Sequence, residues 1–500
     1  MIEDKNHYLG IFKVTEEQLK TLAAEGLSHG GDYSDLYFEN TSYSELMLMD
    51  GKVASGGSHI DYGVGIRVLK GEKTGYAYSE STQMQAMSDA AKAAAAIAGN
   101  NVRIDPGKAI RDSRDLAATY STVSNNGDHK VRVFFKGEPN PYADRYPVLD
   151  DWRCNNASVF VPFMKKLQDA ILSKDGRIAK LILVLSYQVS DILMFNSFEE
   201  LKYETRPLAS IAISAVFSQD GKTENKTVSR SFRMGAEMLT DSLIEEMAVQ
   251  TADRIDDRFA AQRPKGGKMP VVMGAGASGI LLHEAMGHAF EADFIRKGQS
   301  IFNDKLGKKI CDSHISIVDD ATIKGNRGAT DFDDEGVPGQ KTTMVENGIL
   351  TSYLHDRISA KFFSVTPTGN GRRECFRYNP IPRMRATYME NGDSDPSAII
   401  ASVKKGIYVD EFANGQVKIG EGDFTFYVKS CHMIEDGHLT APLKDINIIG
   451  NGPKALADIV AVGNDLKIDN GTWTCGKGQS VPVSCGMPTV LVKSLTVGGK

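Results

Sequence analysis

Hydrophobic and polar positions in the first half of the chain repeat with two different periods, which predicts a mixture of helices and strands. Apolar residues at helical spacing follow the capping-box sequence that begins at Thr15, and they predict a helix over 15–28. Helical spacing also predicts helices over 84–98 and 161–173. The dipeptide Asp50-Gly51 is typical of a hairpin turn. Runs of β-rich residues predict strands over 34–40, 45–49, 63–79 (two strands around Gly71), 178–186 and 208–217.

The second half of the chain begins with one more helix and then becomes rich in strand signals. Thr240 can cap a helix whose apolar positions repeat every three or four residues as far as Phe259. Beyond it, dipeptides typical of hairpin turns recur at Asn347-Gly348, Asn414-Gly415, Asp436-Gly437 and Asn470-Gly471. The pattern predicts an α+β protein with two domains. We expect a mixed α/β domain over 1–235 and a mainly antiparallel β domain, barrel- or sandwich-like, over 236–500.

Composition and charge narrow the class of protein. The 500 residues are 41% hydrophobic and 24% charged, which is ordinary for a globular protein. A net charge of −6 provides no overall basic field, so binding to nucleic acid or to an anionic membrane is not expected. The N-terminus lacks a signal-peptide pattern and the apolar stretches are too short to cross a membrane, which predicts a cytoplasmic protein. The six cysteines contain no CxxC pair, so no disulfide framework is expected.

The most informative segment is an apolar run that contains the sequence HExxxH, from His283 and Glu284 to His288. With 10 histidines and 64 acidic residues in the chain, this spacing is expected by accident only roughly 0.03 times. Each helical residue turns by about 100°, so side chains five positions apart point about 140° away from each other. The two histidines can therefore share one ion only if the helix is wound out or broken between them, and such a distortion costs least at Gly287.

The motif predicts a site for metal-assisted hydrolysis. His283 and His288 would bind Zn²⁺ through ring nitrogens, while Glu284 would accept a proton from metal-bound water. A catalytic zinc ion needs a third protein ligand. The residues alone leave several candidates open, namely Cys475, Cys485, His314, His355, His432 and Glu291. The alternative is a structural role, in which both histidines are buried and hydrogen bonded to backbone carbonyls.

Three other patterns suggest weaker hypotheses. Gly274, Gly276 and Gly279 match a dinucleotide-binding fingerprint, but the second strand with its acidic residue is missing, so a tight strand-to-helix turn explains them better. Arginines with interleaved aromatic residues over 372–388 could contact nucleic acid, although contacts with substrate or within the protein are favoured at this net charge. The acidic run over 331–335 lacks the spacing of an EF-hand and is predicted to be a turn.

The segment GASGILLHEAMGHAFEADF resembles the metal-binding helix of the TldD/PmbA family of metallopeptidases, once labelled modulators of DNA gyrase. The C-terminal half of that family is similar, in order and spacing, to DDEGVPGQKTTMVENGILTSYLHDR, PTGNGRRE, GDFTFYV, IIGNGPKALADIVAVGNDL and CGKGQSVPVSCGMPTVLV. GVGIRVLKGEKTGYAYS resembles its N-terminal half, and the similarity covers nearly the whole chain except 100–200, where it is weak. Because HExxxH is intact, the chain resembles the TldD-like branch rather than the PmbA-like branch.

This resemblance implies a ligand set. The family's third zinc ligand is a cysteine near the C-terminus, which maps onto Cys475. Cys485 stands where the family pattern has no cysteine, so we interpret it as a small buried apolar residue. The site would then hold one Zn²⁺ per chain through His283, His288 and Cys475, with Glu284 as the general base.

The resemblance also implies an activity and an assembly. A zinc peptidase of this kind would cleave extended or unfolded peptides, which could pair with an edge strand of the β-rich half. Family membership implies a dimer, either with itself or with a PmbA-like paralogue. A second hypothesis is a non-catalytic, peptide-binding partner or scaffold subunit. A structural zinc site would have four protein ligands and would not need Glu284, which argues against that second hypothesis.

Overall fold

The N-terminal half is built around one antiparallel sheet. The structure is a computed structural model that describes residues 4–99, 118–121, 145–146 and 148–499. Within these ranges the sheet has seven strands in the order β4-β3-β2-β1-β5-β6-β7. The strands are β1 (Tyr33–Met49), β2 (Lys52–Lys70), β3 (Lys73–Ser79), β4 (Ala118–Ser121), β5 (Ile178–Asn196), β6 (Leu201–Gln219) and β7 (Lys222–Phe232). The strands predicted at 34–40 and 45–49 are parts of β1, because its pairing with β5 continues through the polar residues between them.

Helices cover this sheet and enclose two hydrophobic cores. They are α1 (Lys5–Phe12), α2 (Glu16–Leu27), α3 (Met84–Gly99), α4 (Val161–Lys174), α5 (Asp241–Ala252) and α6 (Ile255–Ala260). The helices predicted over 15–28, 84–98 and 161–173 are confirmed. As the capping-box sequence predicts, the side chain of Thr15 accepts a hydrogen bond from the backbone N–H of Gln18.

The helix that follows Thr240 differs from the prediction in its length and in its packing. The side chain of Thr240 caps α5 as expected, but the chain turns at Arg254, whose φ of +52° is left-handed, and α6 starts afresh. Ile244 and Met247 of α5 are buried in the same core as Leu167 of α4, so α5 packs with the N-terminal sheet. The domain boundary between 235 and 236 stays a prediction, and α5 lies on its C-terminal side.

The C-terminal half is mainly antiparallel β, and five of its strands close into a barrel, which confirms the predicted fold class. The barrel runs β15-β8-β24-β18-β16 and back to β15. Its strands are β8 (Gly267–Met273), β15 (Lys405–Val417), β16 (Asp423–Glu435), β18 (Ile446–Asn451) and β24 (Val490–Gly499), with β17 (His438–Leu443) and β19 (Ile459–Val462) attached. None of the helices in the described ranges has the length and apolar character needed to cross a membrane.

A second sheet and two hairpins pack beside the barrel. The sheet contains β9 (Ile317–Asp320), β10 (Lys341–Glu346), β11 (Ile349–Leu350), β14 (Ala386–Met389), β20 (Lys467–Asp469) and β23 (Ser484–Met487). The hairpins are β12 (Gly371–Arg372) with β13 (Ile381–Pro382), and β21 (Thr474–Gly476) with β22 (Ser480–Pro482). The helices of this half are α7 (Ile280–Ala285), α8 (Ala292–Arg296), α9 (Arg357–Phe363), α10 (Pro396–Ala401) and α11 (Gly452–Ala457).

The predicted hairpin turns are confirmed at three positions and wrong at two. Asp50-Gly51, Asn347-Gly348 and Asp436-Gly437 join paired strands, with positive φ at both residues of each dipeptide. Asn414-Gly415 lies inside β15, because Gly415 pairs with Phe426 and the chain turns only at 418–422. Asn470-Gly471 connects β20 to β21, which pair with different strands, so it closes no hairpin.

Buried ion pairs join the two halves of the chain. Arg67 of β2 donates to Asp35 of β1 and, at 2.5 Å, to Glu335 of the acidic run. Asp334 of the same run pairs with Arg206 of β6. The acidic run forms a turn, as predicted. Its four acidic residues are buried, and two of them, Asp334 and Glu335, pair with arginines of the N-terminal sheet.

Replacing Arg67 by Met is expected to lower the free energy of unfolding by about 3–5 kcal/mol. The reason is that Asp35 and Glu335 would keep buried charges from which the shared cation has been removed. Urea denaturation of the variant and the wild type measures the difference. Lys5→Met is the matched control. Lys5 pairs with Glu16 at an exposed position, so its loss should change the free energy of unfolding little. Equal stability of Arg67→Met and wild type would contradict the prediction.

Candidate metal centre

The HExxxH segment is not one continuous helix. Strand β8 leads through a short 3₁₀ turn into α7, whose last turn carries His283 and Glu284. The backbone then leaves the helical conformation at Met286, with φ −133° and ψ −43°. A 3₁₀ turn over Gly287–Phe290 carries His288. The distortion predicted between the two histidines is therefore confirmed, and it is a break rather than a wound-out turn.

Glycines around this segment allow close packing. The break falls at Met286 rather than at Gly287, where a Cβ would lie 2.1 Å from the Sδ of Met384. A Cβ on Gly279 would lie 2.4 Å from the backbone nitrogen of Gly486. Close packing at the strand-to-helix turn accounts for Gly279 and also for Gly274, where a Cβ would lie 2.5 Å from the hydroxyl oxygen of Tyr408. This is the explanation predicted for the fingerprint glycines in preference to nucleotide binding.

Three side chains converge where this broken helix meets the hairpin of β21 and β22. Ring nitrogens of His283 and His288 and the Sγ of Cys475 all lie within 4.8 Å of one another. The Sγ of Cys475 is 3.3 Å from the Nε2 of His288, and the two imidazole centroids are 5.1 Å apart. All three residues are buried. Among the described residues, no other group of three or more His, Cys, Asp or Glu side chains converges in this way.

These three donors fit a metal ion. Two imidazole nitrogens and one sulfur form a set that Zn²⁺ commonly binds. The Nδ1 of His283 is buried without a hydrogen-bond partner, as a nitrogen reserved for a ligand would be. Burial acts to raise the pKa of the Cys475 thiol, but the neighbouring imidazoles of His283 and His288 lower it to about 4. The sulfur is therefore a thiolate at neutral pH, which is the form that binds metals.

A carboxylate orients one of the imidazoles. The Oε2 of Glu291 accepts a hydrogen bond from the Nδ1 of His288 at 2.9 Å, which leaves Nε2 to face Cys475. Burial acts to raise the pKa of Glu291, but Lys477 and His288 lower it to about 2, so the group is ionised. Metal-binding histidines commonly have such a partner. Glu291, an open candidate for the third ligand, therefore lies behind His288 and outside the cluster.

The hairpin that carries Cys475 is held by buried arginines. Arg383 donates to the backbone carbonyl of Cys475 at 2.6 Å and to that of Gln479 at 2.9 Å. Arg372 donates to the carbonyl of Pro482 at 2.7 Å. Both guanidinium groups are buried, so these hydrogen bonds are shielded from water. The hairpin therefore has a fixed position relative to the protein core.

The arginine cluster over 372–388 lies mostly inside the protein. The buried members are Arg372, Arg373, Arg383 and Arg385. Arg377 is half-buried and pairs with Asp61 and Glu80 of the N-terminal half. These arginines make contacts within the protein, which is the interpretation that the sequence favoured over nucleic-acid contact.

Glu284 and Cys485 occupy different environments, the first half-buried and the second inside the core. Glu284 is half-buried and follows His283 directly on α7. Cys485 lies on β23 and is fully buried, and its burial raises the pKa of its thiol well above the usual range, with Asp469 and Glu284 adding to the effect. Cys485 is therefore a neutral thiol in the core, and it does not belong to the converging group.

The remaining histidine candidates lie elsewhere. His314 is exposed and pairs with an acidic neighbour. His355 is buried, and burial lowers its pKa to about 4. His432 lies between Asp410 and Asp257, and the hydrogen bond that its ring donates to Asp410 raises its pKa. None of these three histidines joins the cluster of His283, His288 and Cys475.

Sequence reasoning missed two residues of the site, Lys477 and Arg383. Lys477 lies two positions after Cys475 and contacts Glu291 at 2.9 Å and Asp293 at 2.7 Å. A signal for Lys477 existed, because Glu291 and Asp293 follow the motif closely and a carboxylate that becomes buried needs a cation as partner. No comparable signal distinguishes Arg383 from its neighbouring arginines, since only the tertiary fold decides which of them meets the hairpin.

Comparison with known proteins adds independent findings. Residues 266–499 match the PmbA/TldA metallopeptidase C-terminal domain, and residues 34–98 match PmbA/TldA metallopeptidase domain 1. The solved structure of a protein described as a modulator of a DNA gyrase, from Thermotoga maritima, superposes with a TM-score of 0.73 at 21% identity, over 97% of this chain and all of that one. TldE from Thermococcus kodakarensis superposes with a TM-score of 0.71 at 18% identity, over 96% and 100%. These two structures share the fold.

The similarity to curated sequences is stronger. The Metalloprotease TldD homolog of Haemophilus influenzae is 34% identical over 94% of this chain and 93% of its own length. The Zinc metalloprotease TldD homolog of Saccharolobus solfataricus is 33% identical over 51% of this chain and 57% of its own length. Since the first relative matches along nearly the whole sequence and the domain models match both halves, this chain belongs to the PmbA/TldD family of metallopeptidases.

Proposed function

We propose that this protein is a zinc-dependent peptidase in which His283, His288 and Cys475 hold the metal ion and Glu284 is the general base. The observation that carries the proposal is the convergence of two imidazole nitrogens and one sulfur within 4.8 Å, with Glu284 directly after His283 on α7. The names of the curated relatives as metalloproteases support the activity, and one of those names includes zinc. We propose one zinc ion per chain.

Each residue of the site has a distinct task in this proposal. A zinc ion held by the three donors would supply Lewis acidity for a scissile carbonyl and for a water molecule. Glu284 would be the general base that takes a proton from the attacking water and passes it to the departing amine. Glu284 is half-buried, whereas His283 beside it in the chain is buried. Glu291 accepts the Nδ1 proton of His288, so Nε2 is the ring nitrogen that faces the proposed metal site.

The proposed substrate is an extended or unfolded peptide. The C-terminal half is rich in strands. An exposed strand edge can form hydrogen bonds with the backbone of a peptide while contacting few of the peptide's side chains. We also propose that the protein works as a dimer, either with itself or with a PmbA-like paralogue. The similarity in fold to a protein named TldE supports the second form.

Removal of the metal is expected to abolish peptide cleavage, and added Zn²⁺ should restore it. The test combines elemental analysis of freshly purified protein with cleavage of a disordered reporter peptide before chelation, after chelation and after zinc addition. We expect about one zinc per chain, as a site with three protein ligands and an open fourth position requires. Protein that binds neither zinc, iron nor cobalt and cleaves nothing would overturn the proposal in favour of the scaffold. A fourth side chain on the zinc, seen by X-ray absorption, would do the same.

A further inference from the structure

The converging residues come from two distant parts of the chain. His283 and His288 belong to the broken helix, whereas Cys475 belongs to the hairpin of β21 and β22, 187 positions beyond His288. A metal site of this kind works only if the two parts keep a fixed distance. One side chain of the hairpin, that of Lys477, reaches across to the segment that follows His288.

The surroundings of Lys477 define this link. Its Nζ lies 2.9 Å from the Oε2 of Glu291, 2.7 Å from the Oδ1 of Asp293 and 3.2 Å from the carbonyl oxygen of Pro382. The ammonium group also lies 4.2 Å from the ring centroid of Phe294. Only 11% of the side chain is exposed, so the ion pairs are weakly screened by water. Such a lysine is held in one position.

The same oxygen of Glu291 serves both Lys477 and His288. Oε2 lies 2.9 Å from the Nδ1 of His288 and 2.9 Å from the Nζ of Lys477. The other oxygen, Oε1, is buried without a hydrogen-bond partner and lies 4.0 Å from the Nε of Arg383, which also lacks a partner. Glu291 therefore has a second cation within reach. Without Lys477, its carboxylate can turn towards Arg383 and leave His288.

We infer that Lys477 is a positioning residue that fastens the Cys475 hairpin to the His288 turn and keeps Glu291 on the imidazole of His288. This inference rests on the proposed metal site and adds to it a residue that touches neither metal nor substrate. Two consequences follow from the loss of Lys477. His288 loses the acceptor that fixes its orientation, and the hairpin loses its ionic contact with the histidine segment.

Replacing Lys477 by Met is expected to weaken zinc binding by about 10–100-fold, the usual effect of losing a partner behind a metal ligand. Methionine keeps an apolar stem beside Phe294 but carries no charge. Zinc affinity is measured by competition with a chromogenic chelator. The intensity of the thiolate-to-metal charge-transfer band in the Co²⁺-loaded protein reports on Cys475 separately and should fall. Lys477→Arg restores a cation and should recover most of the affinity.

The control is Lys341→Met. Lys341 lies on β10 and forms an exposed ion pair with Glu390, so its replacement should leave zinc affinity unchanged. Circular dichroism of the metal-free variants confirms folding. If Lys477→Met does not fold, Glu291→Gln tests the inference instead. This variant removes the negative charge that Lys477 contacts, and it should weaken zinc binding about tenfold. In the Glu291→Gln background, Lys477→Met should cost less than it does in the wild type, because the contact with Glu291 is already weakened and mainly the contact with Asp293 is left to lose.

The outcomes separate the two proposals. Wild-type protein that binds neither zinc, iron nor cobalt and cleaves no peptide overturns the proposed function itself. Wild-type protein that binds zinc, with unchanged affinity and unchanged cobalt spectrum in Lys477→Met or in Glu291→Gln, overturns only the role of Lys477. Additive losses in the double variant would also contradict it, since they mean that the two residues act independently.

Discussion

Glu284→Gln is expected to reduce peptide cleavage by about 10²–10⁴-fold, the range that a general base contributes, while the zinc content stays at that of the wild type. Glutamine has nearly the same shape as glutamate, but its amide cannot accept a proton at neutral pH. Glu284 lies outside the group of three converging donors, so its replacement leaves the metal ligands intact. Steady-state cleavage of a disordered peptide and elemental analysis of the same sample measure both quantities.

The matched control for this prediction is Glu346→Gln. Glu346 is an exposed glutamate on β10, so the same loss of one charge should leave cleavage unchanged. Cleavage that survives in Glu284→Gln would contradict the role of general base. Loss of zinc together with loss of activity would instead indicate that Glu284 is a metal ligand, which the geometry of the site does not predict.

Local sequence signals predicted the elements whose structure depends on neighbouring residues. The capping box at Thr15 marks the start of α2. Asp50-Gly51 and Asn347-Gly348 close hairpins, because the turn needs positive φ at two successive residues and these dipeptides adopt it readily. The same type of signal failed at Asn414-Gly415. There the strand β15 continues, since pairing of Gly415 with Phe426 outweighs the turn preference of the dipeptide.

The candidate site shows the same division between local and long-range information. The spacing within HExxxH required a helix that is wound out or broken between the histidines, and the structure has a break at Met286. This much was predictable because the constraint involves only six consecutive residues. Periodicity and spacing could not choose between Cys475 and Cys485, which lie ten positions apart and are both buried. The family resemblance pointed to Cys475, and the fold places that residue beside the histidines.

Residues that act on the ligands were harder to predict than the ligands themselves. Glu291 was a candidate ligand in the sequence, and the structure places it on the Nδ1 of His288 instead. Lys477 and Arg383 bind to groups that are far away in the chain, so their partners become visible only when the tertiary fold is known. Burial of an ionised group requires such partners, but the sequence does not say which residues provide them.

Cys475→Ala is expected to remove both zinc and peptidase activity, whereas Cys485→Ala should retain both. The two variants are well matched, because each cysteine is almost completely buried and each change deletes one sulfur atom. Either cavity should cost about 1 kcal/mol of folding free energy, so unfolding transitions of the metal-free proteins should be similar. Any difference in metal content then reports on ligation and not on folding.

The chemical states of the two sulfurs explain why only one loss should matter. Burial acts against ionisation of both thiols, but the imidazoles of His283 and His288 lower the pKa of Cys475 to about 4, whereas the pKa of Cys485 is raised. A metal ion binds a thiolate far more readily than a neutral buried thiol, because the thiolate is the form of cysteine that acts as a ligand. In Co²⁺-loaded protein the thiolate-to-metal charge-transfer band should therefore vanish in Cys475→Ala and persist in Cys485→Ala. Persistence of the band in Cys475→Ala would mean that another sulfur binds the metal, and it would contradict the ligand set proposed for this site.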